Sequence, residues 1–271
     1  MGFVLGMAQT GYPVDGDVVA QVKRMAAEAC DRDVSLLVFP ENLMCPRELT
    51  AQGVAAVAES LDGPFAQRVG AVARSNGLWI LYTMYERASE GMPPFNTAVL
   101  VDDTGIVRGT YRKCHLYDAH GVYESERMSA GEELCAPMHT PFCTLGVGIC
   151  YDLRFPEVSR ALACAGCDVL VFPAAWHDGP QKLLHWQTLL RTRAIENECF
   201  VAGVCHAGPR NVGQSFAFDP LGRTLVQGAD ELLVCPIDVQ DVRNARDAMP
   251  VLGHRRPKLY GGMSNPSLLS K

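Results

Sequence analysis

Apolar positions along the chain fall into short continuous runs separated by helically spaced segments. Residues 3–9 are a short apolar run that predicts a strand. Residues 17–31 place Val18, Val19, Val22, Met25, Ala26 and Ala29 at helical spacing. Residues 34–39 are continuously apolar and end in Pro40-Glu41. A run without alternation predicts a strand covered on both faces. Helices are expected over 47–60 and 64–76, the second stopped by Gly77, and a strand over 78–85. Strands over 96–102 and 106–111 are joined by Asp102-Asp103-Thr104-Gly105, a hairpin turn by composition. Residues 116–141 read as irregular and polar, and connections of that length usually carry function.

The second half repeats the rhythm. A buried strand over 145–149 stops at Cys150, a polar elbow follows, and Pro156 opens a helix over 157–165 with Gly166 as its stop. Glycines at 146 and 148 leave room for other backbone to come close. A strand over 169–172 ends in Pro173-Ala174-Ala175-Trp176-His177. A long helix over 181–197 and a strand over 200–205 come next. Then come a hairpin (215–218 and 224–226, around Asp219-Pro220-Leu221-Gly222) and a last strand over 232–237. The tail from Asp241 carries several arginines and becomes irregular. Leu5-Gly6-Met7-Ala8 echoes Leu145-Gly146-Val147-Gly148, and the run ending in Pro40 echoes the one ending in Pro173. Two similar α/β halves are therefore expected, sheets inside and helices outside, packed as a single domain over 1–271.

Composition narrows the picture. Net charge is −6, with no long basic run, which argues against nucleic acid as a partner. No apolar run has the length of a membrane span. The N-terminus lacks a basic leader, and Gly6 breaks a myristoylation pattern. Eleven cysteines, odd in number and scattered, suggest free thiols in a reducing cytoplasm. The seven histidines lack metal-ligand spacing, and Cys164-Ala165-Gly166-Cys167 has no second pair. No phosphate-binding glycine pattern is present. Neither a metal nor a cofactor is expected.

Glu41, Lys113 and Cys150 each lie at or just past the C-terminal end of a predicted strand, where α/β sheets gather catalytic groups. The second half has Ala174 where the first has Glu41, so the repeat alone does not explain the glutamate. A thiol must lose its proton to attack carbon. A nearby ammonium favours the thiolate, and a carboxylate can carry the proton to a leaving amine. The lysine and the backbone N–H of Tyr151 can stabilise an oxyanion. A thiolate-activated Cys150 is the expectation. Trp176 and His177 follow the strand that mirrors the Glu41 strand, so they are placed in the pocket. Arg154 either binds a substrate carboxylate or ties down the elbow. His115, Glu196 and Asn197 are read as structural.

Pro40-Glu41, Tyr111-Arg112-Lys113-Cys114-His115-Leu116-Tyr117-Asp118 and Gly148-Ile149-Cys150-Tyr151-Asp152-Leu153-Arg154-Phe155-Pro156-Glu157 resemble the nitrilase superfamily of carbon–nitrogen hydrolases. The resemblance implies an α/β fold, a four-layer α-β-β-α sandwich with an internal two-fold repeat. It also implies a Glu-Lys-Cys triad, a thioester acyl-enzyme, no metal or cofactor, and a homodimer or higher homo-oligomer, for which the helix after the cysteine and the 181–197 helix are the expected interface. It places a second glutamate between the lysine and the cysteine; Glu124 matches by its Glu-Ser context, with Glu126 as the alternative. The segment between Asp118 and Glu124 is shorter than in many relatives, which leaves the pocket shape open. The implied activity is that of a cytoplasmic amidase, releasing ammonia from a small linear, carboxylate-bearing amide. The blocks are most similar to the amidase branch that includes ω-amidase. Deaminated-glutathione amidase, N-carbamoyl hydrolase and nitrilase activities compete, as do an acyltransferase using the same thioester and a non-catalytic binding protein.

Overall fold

The computed structural model describes residues 2–11, 13, 16–45 and 50–260. Its first half runs β1 (Gly2–Ala8), α1 (Val18–Cys30), β2 (Leu36–Val38), α2 (Ala51–Val57), α3 (Pro64–Asn76), β3 (Trp79–Glu86), β4 (Phe95–Val101) and β5 (Val107–Arg112). A connecting segment holds a tight hairpin, β6 (Asp118–Ala119) and β7 (Val122–Tyr123), and then β8 (Met138–His139). The second half runs β9 (Thr144–Val147), α4 (Pro156–Cys164), β10 (Val169–Ala174), α5 (Lys182–Asn197), β11 (Phe200–Cys205), β12 (Ser215–Phe218), β13 (Thr224–Gly228), β14 (Leu232–Asp238) and α6 (Gln240–Ala248).

Two six-stranded sheets result, ordered β14-β1-β2-β3-β4-β5 and β13-β12-β11-β10-β9-β8. Alternation along β1 and β3 sorts the first sheet's faces. Phe3, Leu5, Met7, Trp79 and Leu81 join Leu145, Val147, Val169 and Val171 of the second sheet in one core. Ile80, Tyr82 and Met84 point the other way, onto Val22 and Met25 of α1 and Phe65 and Val69 of α3. Across the second sheet, Val158 and Leu162 of α4 and Trp186 and Leu190 of α5 cover Leu170 and Phe172. The layers are helix, sheet, sheet, helix, as the repeat requires. β14 follows the second half in sequence yet pairs antiparallel with β1, so the chain's end closes the edge of the first sheet.

Most expected elements are present. The strand expected at 34–39 shrinks to three residues, because Pro40 ends pairing and Val34 packs against the face of Gly6 instead. Of the helix expected at 47–60, the part over 47–49 lies outside the described residues, and 51–57 is helical with a Thr50 cap. Gly148 does admit a close neighbour, but it is a side chain: a Cβ there would lie 2.5 Å from the Phe172 ring. Helix α6 stands where the sequence suggests the start of an irregular tail, with only Val242 and Ala245 buried on its one apolar edge.

The repeat extends to hydrogen bonding in the two hairpin turns. Asp102 Oδ1 accepts from the N–H of Thr104 and of Ile106, both at 2.9 Å. Asp219 Oδ1 accepts from Leu221 and Arg223 at 2.9 and 2.8 Å, the same offsets. Gly105 and Gly222 then turn the chain at φ 81° and 77°. Burial alone would push the Asp102 carboxyl up; the hydrogen bonds from Thr104, Ile106 and Arg108 outweigh it and hold the group at about 2, below its ordinary 3.8. Asp102 thus contributes stability above pH 3.8 that is lost as pH falls through about 2. Asp102→Asn should cost roughly 2 kcal/mol at neutral pH. In urea melts the gap to the wild type should narrow as pH drops toward 2; a gap independent of pH would reject this account.

Candidate active site

Four chain segments meet at one rim of the sandwich, past the C-terminal ends of β2, β5 and β9 and in the connecting segment after β7. Just past β2, Glu41 is buried in a turn and receives the Ala175 N–H on Oε2 at 2.9 Å and the Asn96 amide on Oε1 at 2.9 Å. Lys113 directly follows β5, and its backbone N–H donates to the Asn96 carbonyl at 2.9 Å. Its ammonium, 2% exposed, donates to Glu41 Oε1 at 2.8 Å and to both oxygens of Glu124, at 3.0 and 2.8 Å. Glu124 reaches it through the β6–β7 hairpin, where His120 and Gly121 both take positive φ, the signature of a tight two-residue turn. The hairpin folds Glu124 back so that the Tyr117 N–H donates to its Oε2 at 2.7 Å. Glu126 is exposed and makes no contact with the lysine among the described residues.

Cys150 opens a tight turn of 3-10 helix (Cys150–Arg154) at φ 46°, a left-handed conformation uncommon for a residue with a side chain. Its thiol lies beside Glu41 and Lys113, whose charges both act on it. The Tyr151 N–H, second in the turn, has no acceptor among the described residues. It is free to meet an oxyanion.

Charge decides the resting state of the thiol. Burial pushes the Cys150 thiol up, the Glu41 anion pushes it further, and the opposing pull of Lys113 does not compensate, so it sits well above its ordinary value. Burial pushes Glu41 up as well, but the Lys113 charge and hydrogen bond, with the Ala175 N–H, leave it below the usual value. The Lys113 ammonium loses hydration on burial, yet Glu124 and Glu41 hold its proton well above the ordinary value. Burial and the Glu41 charge thus work against the thiolate activation expected of Cys150, and Lys113 works for it.

These groups floor a cavity of about 560 Å3. Its wall includes Tyr151, Arg154, Trp176 and His177, all anticipated, and also Lys182 and Asn211, which were not. The Arg154 guanidinium lies 4.7 Å over the Trp176 ring and has no hydrogen bond or ion pair among the described residues. It does not tie down the elbow; Arg193 does, donating twice to the Leu153 carbonyl at 3.1 and 2.9 Å. Lys182 Nζ donates to the Tyr117 hydroxyl at 3.1 Å and has no carboxylate partner among the described residues. Asn211 is buried, and its Nδ2 lacks an acceptor among the described residues. His206, also missed, puts Nε2 2.5 Å from the Glu41 carbonyl and Nδ1 2.9 Å from the Thr10 carbonyl. Its place at the end of β11, opposite the Glu41 turn, was the available signal. As expected, Glu196 and Asn197 bond within their own helix, to Arg193. Cys164 is exposed and Cys167 buried, both free thiols, and no group able to hold a metal occurs among the described residues.

Fold and site together define a sandwich hydrolase with a thiol, a carboxylate and an ammonium at its strand ends. The carbon-nitrogen hydrolase family model matches residues 5–247, and the chain belongs to that family. It is 36% identical over 234 residues to the deaminated glutathione amidase of Escherichia coli O157:H7, spanning 86% of this chain and 88% of the relative. Identity to the human deaminated glutathione amidase is also 36%, over 228 residues, 78% of this chain and 69% of that one. Among solved structures, the Caenorhabditis elegans NitFhit protein superposes with a TM-score of 0.86 at 31% identity, over 96% of this chain and 66% of that one. A Nesterenkonia amidase superposes at 0.77 with 26% identity, over 96% and 95%. A glutamate-to-glutamine mutant of that amidase shows covalent addition of the acetamide moiety of fluoroacetamide at its active-site cysteine.

The electrostatics give a test. Glu41→Gln removes an anion that raises the Cys150 thiol and leaves Lys113 to lower it. The midpoint of Cys150 labelling by iodoacetamide, followed by peptide mass spectrometry across pH, should move to lower pH in this variant. An unchanged or higher midpoint would show that Glu41 does not govern the thiol.

Proposed function

We propose that the chain is an amidase in which Cys150 attacks a small, carboxylate-bearing linear amide. The observation that carries this reading is the buried Lys113 ammonium shared between Glu41 and Glu124, in the same cavity as the Cys150 thiol. Cys150 attacks the amide carbon as its proton passes to Glu41. The oxyanion is held by Lys113 Nζ and the Tyr151 N–H. Glu41 gives the proton to the departing ammonia, leaving a thioester. Water, deprotonated by Glu41, then frees the acid. Glu124 fixes the lysine. The active-site cysteine of the Nesterenkonia amidase, open to covalent addition, supports the nucleophile's part.

The wall supports the substrate class. Arg154 and Lys182 carry positive charge over aromatic faces without carboxylate partners among the described residues, and Asn211 holds a buried unused donor. A carboxylate at the far end of the acyl chain would satisfy all three. Names of the relatives point to amides of this kind, with deaminated glutathione amidase prominent.

Ammonia release from a panel of ω-amide acids, matched neutral amides, carbamoyl amines and nitriles should occur with the ω-amide acids and vanish in Cys150→Ala. Arg154→Gln or Lys182→Gln should lower kcat/KM for the acidic amide by about ten- to a hundredfold, a charged hydrogen bond's worth. The neutral amide should change less than about threefold. Turnover surviving in Cys150→Ala would overturn the mechanism, and equal losses on both amides would overturn the substrate class.

We read the chain further as one domain and as a cytoplasmic homodimer. One core shared by both sheets supports the first, and the free thiols support the compartment. Leu184 and Ile195 on the open face of α5, with Leu221 on the neighbouring hairpin, expose apolar surface suited to a second copy. Light scattering on the purified chain should give twice the monomer mass; a monomer at micromolar concentration would reject the dimer.

A further inference from the structure

Asp152 lies two residues past Cys150 and is fully buried. Its carboxylate gathers four contacts. Oδ2 accepts from the Ile149 N–H and from the Tyr111 hydroxyl, both at 2.8 Å. Oδ1 accepts the His115 N–H at 3.1 Å and lies 2.7 Å from His115 Nδ1. Ile149 is the residue immediately before the cysteine. Tyr111 and His115 stand two residues either side of Lys113. The Tyr111 hydroxyl also receives the Cys114 N–H at 3.3 Å, and the Phe155 ring stacks on His115 with centroids 3.7 Å apart.

We propose that Asp152 is a positioning residue that locks the cysteine turn of the second sheet to the lysine strand of the first, so that the Tyr151 N–H and the Lys113 ammonium converge on one oxyanion. This rests on the reading of Cys150 and Lys113 as reacting groups. Two features single Asp152 out from an ordinary buried acid. By accepting from Ile149, its side chain closes the turn that holds Cys150 in left-handed backbone, a conformation that costs on the order of 1–3 kcal/mol and persists only when over-determined. And its partners are the flanks of the lysine: no arginine or lysine pairs with it among the described residues, so its negative charge is spent on neutral donors and His115. Burial, with the Asp152 charge second, pushes the Tyr111 hydroxyl far up, so that hydroxyl stays a donor at every working pH. Oxyanion donors from two sheets need sub-ångström agreement, and a displacement of about 1 Å can cost about a hundredfold in rate.

The test uses the full chain with Asp152→Asn, Tyr111→Phe and the double variant, each normalised to the folded fraction by near-UV circular dichroism. With the amide that the wild type hydrolyses, Asp152→Asn should lower kcat about a hundredfold with KM within about threefold. Tyr111→Phe should lower kcat about tenfold, and the double variant should be no slower than Asp152→Asn, because both act through one tie. A kcat per folded molecule within threefold of wild type, a loss confined to KM, or independent multiplication of the two effects would each overturn the proposal. If Asp152→Asn does not fold, Tyr111→Phe decides alone: a kcat within twofold of wild type overturns it. Cys150→Ala separates the two levels. Turnover in that variant defeats the active-site reading itself, whereas a dead Cys150→Ala beside a fully active Asp152→Asn defeats only the positioning role.

Discussion

A single buried ammonium governs the centre of this molecule. Lys113 is almost wholly removed from water, where an unpaired charge is costly, and it is tolerated because two carboxylates meet it at hydrogen-bond distance. That requirement reaches outward. Glu41 must be held past β2, so Asn96 and the Ala175 N–H occupy its free lone pairs. Glu124 must be brought back from a long excursion, so a tight hairpin and the Tyr117 N–H fold it inward. Removing the lysine would leave two facing buried carboxylates, and removing either glutamate would free half of its neutralisation.

The doubled architecture explains how these groups come together. Two copies of one strand–helix pattern, packed face to face, bring two sets of strand ends to one rim. The two halves differ in charge. The first supplies Glu41 and Lys113; the second supplies Cys150, the Ala175 N–H and most of the pocket wall. Where Glu41 stands in one half, an apolar Ala174 completes β10 in the other, paired with Cys205 of β11. His206 and Asp152 stitch the halves at the rim, one through the Glu41 carbonyl and the other through the flanks of Lys113.

Much of this was legible in sequence, for reasons that also mark where legibility stops. Continuous apolar runs exposed the strands, because both faces of each sheet are covered, and proline and glycine marked α3, α4 and the hairpins. Glu41, Lys113 and Cys150 could be singled out because they stand at strand ends and the local motif is long, and the structure brings them into one cavity. What escaped depends on distance in sequence. Asn96 and His206 reach Glu41 from 55 and 165 residues away, and neither carries a local pattern. Asp152 was visible inside the cysteine block, but its partners at 111 and 115 belong to another sheet. Helix α6 is periodic but so polar, with only Val242 and Ala245 buried, that it reads as a tail, and β6 to β8 are too short to show any period. The environment of Cys150 escaped for a different reason: a lysine nearby suggests an activated thiol, and only the structure shows the burial that, with the Glu41 charge, pushes the thiol up.

That imbalance suits the proposed chemistry better than a resting thiolate would. Two carboxylates, one ammonium and a neutral thiol leave the floor with one net negative charge, so an additional thiolate would face repulsion without a second cation. Moving the thiol proton to Glu41 as sulfur attacks relocates the charge rather than adding one: the carboxylate is neutralised while the oxyanion forms between Lys113 and the Tyr151 N–H. Once sulfur is acylated it bears no charge, and the protonated Glu41 is the acid that an amide nitrogen needs to depart as ammonia. The lysine, released from half of its pairing when Glu41 takes the proton, is then most available to the oxyanion at the moment it develops. Electrostatic help that strengthens in the transition state, rather than in the resting enzyme, is what raises kcat.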